Sequence, residues 1–288
     1  MNVVEVDRRN GLSATAFYEA YQKPRKPVVL TDFADDWPAV KKWTFDFFRE
    51  NYGHYTVPIC DAAFHRAGGA YMKHSHVMRF GDYLNLIENH PTEKRIHNFQ
   101  VMREAPELAG DFIRPHLKGL HFFRFALLFF GGAESRLNLH YDIDCSHVFL
   151  THFITRKEVY LFPPGEGRLL YQYPYTVQSH IDVLNPDLKA FPAFQFTTPH
   201  HAVLNHGETL FIPSRWWHFV YYTEGGYSLA IRARGSLIDA IQGSWNLVRH
   251  FVVDKGMNAL SGEGWKRWKA REAQRRAVSA LEKIKSQS

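Results

Sequence analysis

The tripeptide His140-Tyr141-Asp142 offers an imidazole and a carboxylate two positions apart. On a strand, residues two apart point to the same face, so both side chains would project together while Tyr141 turns away. A second imidazole, His218, follows 78 residues later, directly after Trp216-Trp217. Two histidines and one carboxylate on one side of an ion leave three coordination positions open, an arrangement suited to non-haem Fe(II) and oxygen chemistry. A chain with 17 histidines will produce His-X-Asp by chance, so spacing alone leaves a metal site and an ordinary polar pair both open. Asp144 is an alternative carboxylate on the same strand face. His147, His152, His200, His201 and His206 read as surface or hydrogen-bonded side chains.

The elements that must position this set are strands. Phe125 to Phe130 is a nearly continuous apolar run closed by Gly131-Gly132, which fits a buried strand and a turn. Leu137 to Asp142, Val148 to Ile154 and Glu158 to Phe162 read as further strands, the last stopped by Pro163-Pro164. Residues 165–200, rich in Pro, Tyr, Asn and Gln, read as a long insertion or loop. Thr209 to Ile212, Phe219 to Tyr222 and Tyr227 to Arg232 complete the set, separated by turn residues. Short strands at this spacing suggest a closed or nearly closed antiparallel barrel. Ahead of it, Ser13 to Gln22, Thr44 to Asn51 and Phe80 to Glu88 read as short helices, and Lys26 to Thr31 as a strand. After Gly235 the pattern is helical. The expected division is 1–120 for flanking elements, 121–235 for the barrel and 236–288 for a helical segment.

Composition bounds the class. Of 288 residues, 45% are apolar and 22% charged, enough for a packed core. Aromatics reach 15%, which favours β structure or a large concave site. No apolar stretch is long enough to cross a bilayer, and the first ten residues lack the apolar core of a signal peptide. Two cysteines, Cys60 and Cys145, far apart, fit free thiols and a cytoplasmic location. The net charge of +6 equals that of residues 264–288 alone, where eight Lys and Arg meet two Glu. The body is neutral, so the basic balance belongs to a tail rather than to a whole-protein nucleic-acid surface.

Several segments in order carry a family resemblance: Phe129-Phe-Gly-Gly132, Leu139-His-Tyr-Asp142, Arg156-Lys157 with Leu161-Phe-Pro-Pro164, and Leu210-Phe-Ile-Pro-Ser-Arg-Trp-Trp-His218. Over roughly residues 120–235 the chain resembles the JmjC, or cupin-like, 2-oxoglutarate oxygenases. Tyr171 to Tyr175, Asn185 to Leu188 and Phe191-Pro192 are similar to the subgroup of the asparaginyl hydroxylase that inhibits hypoxia-inducible factor and its bacterial relatives. Lys23 to Leu30 looks like that family's first strand. The resemblance implies a mainly β fold with flanking helices, a double-stranded β-helix of cupin or jelly-roll type, with C-terminal helices. It implies Fe(II) held by His140, Asp142 and His218, with 2-oxoglutarate as cosubstrate and O2 as oxidant. Lys157 falls where the family places a lysine against the distal carboxylate of 2-oxoglutarate, and a buried dicarboxylate needs such a fixed cation on physical grounds as well. Arg156 is a fallback anchor. His97 falls near a tyrosine that touches the cosubstrate in some relatives, and Arg232, where relatives often have Asn, is a further cosubstrate contact or a surface charge. Leu137 and Thr155 depart from the family's Thr and Gly.

The implied reaction is oxidative decarboxylation of 2-oxoglutarate to succinate and carbon dioxide, coupled to hydroxylation of a substrate C–H bond. A protein or peptide side chain is the expected substrate, with RNA or a small metabolite as alternatives and a metal-binding cupin without oxygenase activity as the rival class. Trp216, Trp217, Tyr141 and Phe149 read as core more readily than as pocket walls. Ala270, Ala273, Ala277, Leu281 and Ile284 recur at helical spacing. Their face suits a homodimer through C-terminal helices, a basic contact to RNA or lipid, or a helix packed on the barrel; no membrane association is expected.

Overall fold

A computed structural model describes residues 2–61 and 74–287; for His97, Asn98, Val101, Met102 and Gln287 it describes the backbone only. In chain order the strands are β1 (Val4–Glu5), β2 (Arg8–Arg9), β3 (Val28–Leu30), β4 (Thr56–Ile59), β5 (His76–Arg79), β6 (Arg95–Phe99) and β7 (His121–Gly131). They continue as β8 (Arg136–His140), β9 (His147–Phe153), β10 (Lys157–Phe162), β11 (His200–Leu204), β12 (Thr209–Ile212), β13 (Trp217–Tyr222) and β14 (Gly226–Arg234). Two sheets face each other, one ordered β1-β11-β10-β13-β8 and the other β2-β3-β12-β9-β14-β7-β6; β4 and β5 form a separate hairpin. This is the double-stranded β-helix of the cupin type, mainly β with flanking helices. The first hundred residues contribute β2, β3 and β6 to the larger sheet.

Three apolar clusters account for the layering. Between the sheets lie Val148, Leu150, Leu210, Ile212 and Ala230 from one side, and Val159, Leu161, Ala202, Leu204 and Val220 from the other. The odd-numbered neighbours on β9, Phe149 and Phe153, point outward into a cluster built with the N-terminal helices. Period-2 alternation with both faces covered explains why all seven residues of β9 are buried. The helices that cover this face are α1 (Ala14–Phe17), α2 (Pro38–Lys42), α3 (Phe45–Tyr52), α4 (Phe80–Asn89) and the short α5 (Val101–Glu104). Ser13 and Thr44 cap α1 and α3 by accepting from backbone N–H groups.

The outer face of the smaller sheet is covered by the segment between β10 and β11 and by the C-terminus. Residues 165–200, expected to be a loop, bury Leu170, Tyr171, Ile181, Ala193 and Phe194 against Leu139, Phe162, Trp217 and Phe219. After β14 come α6 (Leu237–Val248), a π-helical turn (Arg249–Asp254) and α7 (Lys255–Gln287), which breaks from helical geometry at Gly262. Ala273, Ala277 and Leu281 of α7 join the same outer cluster. The amphipathic face expected at 270–284 is therefore used against the barrel, because its small alanines let the helix approach the sheet closely. Among the described residues no helix is long and apolar enough to cross a membrane.

Phe149 is fully buried and meets Phe17, Phe33, Phe122 and Phe211 with ring centroids 5.1–5.9 Å away. Phe149→Ala would open a cavity between sheet and helices, and we expect a loss of about 3–5 kcal/mol in urea unfolding. A loss below about 1 kcal/mol would show that the two layers do not depend on this contact.

Candidate active site

His140 and His218 are direct partners across the β8–β13 ladder, and their rings stand 4.3 Å apart between centroids. Directly opposed residues share a face, so strand pairing alone brings the two imidazoles together. The ladder is not regular. Val220 pairs with Leu137 while His218 pairs with His140, so β8 carries one extra residue over this stretch. That bulge lets both Leu137 and His140 face the interior while Leu139, between them, points outward into the α7 cluster. Asp142 lies beyond the end of β8, in the loop before β9, rather than on the strand face that alternation predicts. The loop folds it back, and the ligand atoms of His140, Asp142 and His218 all lie within 4.8 Å of one another. Asp144, the alternative carboxylate, instead accepts from Ser146 and sits 3.5 Å from Arg232, outside the cluster.

The loop is braced from behind by α6. Asn246 donates to the Ile143 carbonyl, and a side chain at Gly243 would collide with the Asp144 carbonyl at 2.2 Å. Glycine is needed there because helix backbone and loop backbone touch. The start of α6 is in turn fixed by Asp239, which completes a capping box with Ser236, accepts from Ser214 and pairs with Arg25 at 2.8 Å.

Protonation states suit a metal. Nδ1 of His140 lies 2.7 Å from the Asn138 carbonyl, and Nδ1 of His218 lies 3.1 Å from the Trp216 carbonyl. A carbonyl only accepts, so each Nδ1 carries the proton and each Nε2 keeps its lone pair for a ligand role. Desolvation, then the neighbouring His218, hold His140 down to about 3, and desolvation also lowers His218. Both rings are thus neutral near pH 7. For Asp142 burial opposes ionisation, but the Arg232 guanidinium, 2.6 Å away, and the two imidazoles together keep the carboxyl below its ordinary range. Two neutral imidazoles and an ionised carboxylate form the donor set that a divalent cation requires, and they are fully prepared before it arrives. Arg232, considered as a cosubstrate contact, is engaged by the carboxylates of Asp142 and Asp144.

The same cavity, about 180 Å³, continues to Lys157. Such a space admits a small organic acid rather than a single water. Lys157 is 1% exposed; its ammonium donates to Ser228 Oγ and lies 5.0 Å from the centroid of the Tyr222 ring. No carboxylate pairs with it among the described residues. Burial accordingly lowers its pKa to about 7. Ser228 Oγ is also 3.0 Å from Nδ1 of His152, whose charged form is suppressed by burial and by the Lys157 charge. His152 is thus a hydrogen-bonded interior histidine. His147 accepts from the Ser214 N–H, His206 from the Ile154 N–H, and His201 sits between Glu5 and Glu158. Arg156 is exposed and away from the cavity. His97 lies in β6, but its side chain is outside the described residues. Trp216, Trp217 and Phe149 are core, and Tyr141 packs edge-on against Trp217.

Sequence reasoning passed over Arg95, Tyr222 and Ser228, all of which reach this interior. The signal was available for the last two: each is an even-numbered residue on a strand whose even positions face inward, as His218 and Ala230 do. For Arg95 the clue is a lone arginine directly before the apolar Ile96 of a short strand.

Residues 14–233 match the cupin-like domain family. Among curated proteins, Lysine-specific demethylase 8 of Xenopus tropicalis is 27% identical over 226 residues, covering 74% of this chain and 49% of its own length. Lysine-specific demethylase JMJ21 of Arabidopsis thaliana is 27% identical over 243 residues, covering 76% and 24%. HSPB1-associated protein 1 of Rattus norvegicus is 40% identical over 99 residues, covering 32% and 20%. The chain thus spans about half the length, or less, of these relatives. The narrower likeness to asparaginyl hydroxylases is not carried by them: two are named lysine-specific demethylases and the third HSPB1-associated protein 1.

Two outcomes test this geometry. A carboxylate bound at Lys157 requires the charged ammonium, which is present below about 7 and lost as pH rises through that value. Succinate affinity, measured by calorimetry, should therefore be highest near pH 6 and fall about tenfold per unit above pH 8, with proton uptake on binding. Affinity unchanged from pH 6 to 9 would contradict the placement of the cation. Arg232→Leu should weaken Co(II) binding roughly 10- to 100-fold by removing the group that orients and ionises Asp142. Because the Asp142 pKa would rise, the deficit should be larger at pH 5.5 than at pH 7.5, and an equal or absent deficit would count against that role.

Proposed function

Since the chain belongs to the cupin-like domain family, we propose that it is an Fe(II)- and 2-oxoglutarate-dependent oxygenase that hydroxylates a C–H bond of a protein or peptide side chain. The observation that carries this reading is Lys157, a buried cation without a carboxylate partner among the described residues, in one cavity with His140, Asp142 and His218. A metal store needs the three ligands but has no use for a desolvated ammonium at the far end, which costs several kcal/mol unless an anion joins it.

In this reading His140, Asp142 and His218 would hold Fe(II), and Lys157 would hold the distal carboxylate of 2-oxoglutarate. The bound metal and cosubstrate supply oxidative decarboxylation to succinate and carbon dioxide, with one oxygen atom of O2 placed on the substrate carbon. The chain's own part is positional. Carbonyls of Asn138 and Trp216 fix the imidazole tautomers, Arg232 holds Asp142 ionised, and Ser228 with Tyr222 orients the ammonium. Leu127, Phe129, Val148, Leu150, Ile212 and Val220 line the rest and exclude water. The demethylase relatives bring N-methyl lysine into view as a target, because hydroxylating an N-methyl carbon gives a carbinolamine that breaks down to formaldehyde and the free amine.

A protein substrate is favoured over RNA by the state of the basic tail. Lys269 is buried on Asp254, Lys266 pairs with Glu263, and Arg275 and Arg276 share Glu272, so half of the tail's cations are already engaged by carboxylates within the chain. We further propose a homodimer through the C-terminal helices, although not through the face the sequence pointed to. Leu237, Ile241, Trp245, Val248 and Val252 form an exposed apolar stripe along α6 and the turn after it. A stripe of that length suits a self-complementary contact across a two-fold axis.

Succinate release from 2-oxoglutarate with Fe(II) under air should be measurable as slow uncoupled turnover, and absent in His140→Ala and Lys157→Ala. No turnover by the unaltered protein, together with no binding of 2-oxoglutarate, would remove the oxygenase reading and leave the metal-binding module. Light scattering should give a dimer mass that becomes monomeric in Ile241→Asp/Trp245→Asp; a monomer at roughly 50 µM already for the unaltered protein would remove the dimer.

A further inference from the structure

Strands β7 and β14 fall out of step at one place. Ile231 lies opposite Ala126 and Ala233 opposite Phe122, so two steps along β14 span four along β7. The surplus, Phe123-Arg124-Phe125, is a bulge, and Arg232 is the residue of β14 beside it. Arg232 lines the cavity and donates to Asp142, which places the bulge at the rim of the candidate active site, at its ligand end. Phe125 comes two positions before Leu127, which lines the same cavity, and it emerges there 44% exposed. Its ring stacks with Phe123, centroids 5.3 Å apart, and the Arg234 guanidinium lies 5.7 Å from the centroid of Phe123. The rim therefore offers apolar area to whatever enters.

The charge of this rim is one-sided. From Phe112 to Ala133 the chain carries Arg114, Lys118 and Arg124, with His116 and His121, and no acid. Arg114, His116, Lys118 and His121 line an open groove of about 600 Å³ that reaches Phe122, next to the bulge. Arg114 donates to the Arg124 carbonyl at 2.7 Å and lies over Phe112, and Lys118 lies over Tyr18. Among the described residues no carboxylate pairs with Arg114, Lys118, Arg124 or Arg234. Acids close by in the chain are already used: Asp111 by Lys42 and Trp43, Glu107 by Tyr52, and Asp239 by Arg25. Four cations without a counter-charge around an aromatic pair suit an anion that also brings apolar side chains.

The strand itself discriminates between the polymers that could supply it. β6 pairs with β7 only from Leu128 to Gly131, so His121 to Leu127 has β14 on one side and no strand of the described residues on the other. A free strand edge adds an extended peptide through main-chain hydrogen bonds, which a sugar–phosphate backbone cannot reproduce. We propose that the β7 bulge is the docking platform for the substrate, and that it takes an acidic protein segment. The segment lies extended along β7 with an apolar side chain on Phe123 and Phe125. Asp or Glu residues flanking the target pair with Arg114, Lys118, Arg124 and Arg234. This rests on the oxygenase reading above and names the substrate class for it.

Fluorescence anisotropy on the metal-free full chain tests this, with short labelled peptides in which Leu alternates with Glu or with Lys, and a labelled oligouridine of similar length. The Glu peptide should bind about tenfold tighter than the Lys peptide, and tighter than the oligouridine. Arg124→Glu/Arg234→Glu, at two exposed positions, should lower its affinity roughly tenfold or more by turning attraction into repulsion. Phe125→Ser should lower it roughly three- to tenfold, whereas Lys283→Glu/Lys285→Glu, the same charge change on α7, should leave it unchanged. Equal affinity for the two peptides, an equal loss in the α7 variant, or an affinity unmoved in either rim variant overturns the platform. If Arg124→Glu/Arg234→Glu does not fold, Phe125→Ser carries the comparison. Tighter oligouridine binding that the rim variants abolish assigns the surface to nucleic acid and overturns the peptide. Succinate release by the unaltered protein is read separately. If it is present while the Glu peptide does not bind, only the platform falls; if both are absent, the oxygenase reading falls with it.

Discussion

Strand β13 lies hydrogen-bonded between β8 and β10, and this placement sets the candidate site. On one side His218 is opposite His140; on the other it is opposite Leu161, four residues along β10 from Lys157. The same strand ends in Tyr222, opposite Lys157. One six-residue strand therefore carries a metal-ligand candidate at one end and the ring beside the Lys157 ammonium at the other, with Val220 between them. Period-2 geometry at about 3.3 Å per residue separates His218 from Tyr222 by some 13 Å along the strand. The even positions share one face, so neither end can move without the other.

Holding that strand in place is a packing problem on both sides. The interior face is where the polar groups sit, so the apolar drive must come largely from the outer faces. Over the larger sheet, Phe149, Phe153 and Tyr227 pack into the aromatic layer formed with Trp43 and Phe48. Over the smaller sheet, Trp217 and Phe219 are covered by the β10–β11 segment and by α7. Burying whole aromatic side chains on each outer face stabilises the sandwich enough to tolerate desolvated charges within it. The C-terminal helix is on this account a structural cover first, and its basic surface a consequence of facing solvent.

The cavity's electrostatics follow from the same arrangement. Of the ionisable groups inside, His140, His152 and His218 are neutralised by burial, and Asp142 is compensated by Arg232. Lys157 is the departure, and its depressed pKa expresses the cost of burying a cation that no carboxylate of the described residues accompanies. Polar groups held ready in this way are what binding sites need and what a stable core avoids.

His140, Asp142 and His218 were candidates in the chain by residue type and a two-residue spacing that left a chance polar pair equally open, and Lys157 was a candidate by the position that the family resemblance assigns it. The strands were equally legible wherever alternation or an apolar run persisted, and the helices where a capping residue preceded an amphipathic stretch. What the chain alone misstated were the places where periodicity breaks. The bulge in β8 and the loop that carries Asp142 depend on how β8 meets β13, a pairing between segments about eighty residues apart that no local pattern encodes. Arg95 needed the tertiary structure for the same reason: its inward direction follows from β6 joining the edge of a sheet made by strands further along, and its neighbour Tyr222 lies far away in sequence. Likewise, the direction of the small apolar face of α7 was settled by which surface of the barrel remained uncovered, and that is decided only when the sheets have closed.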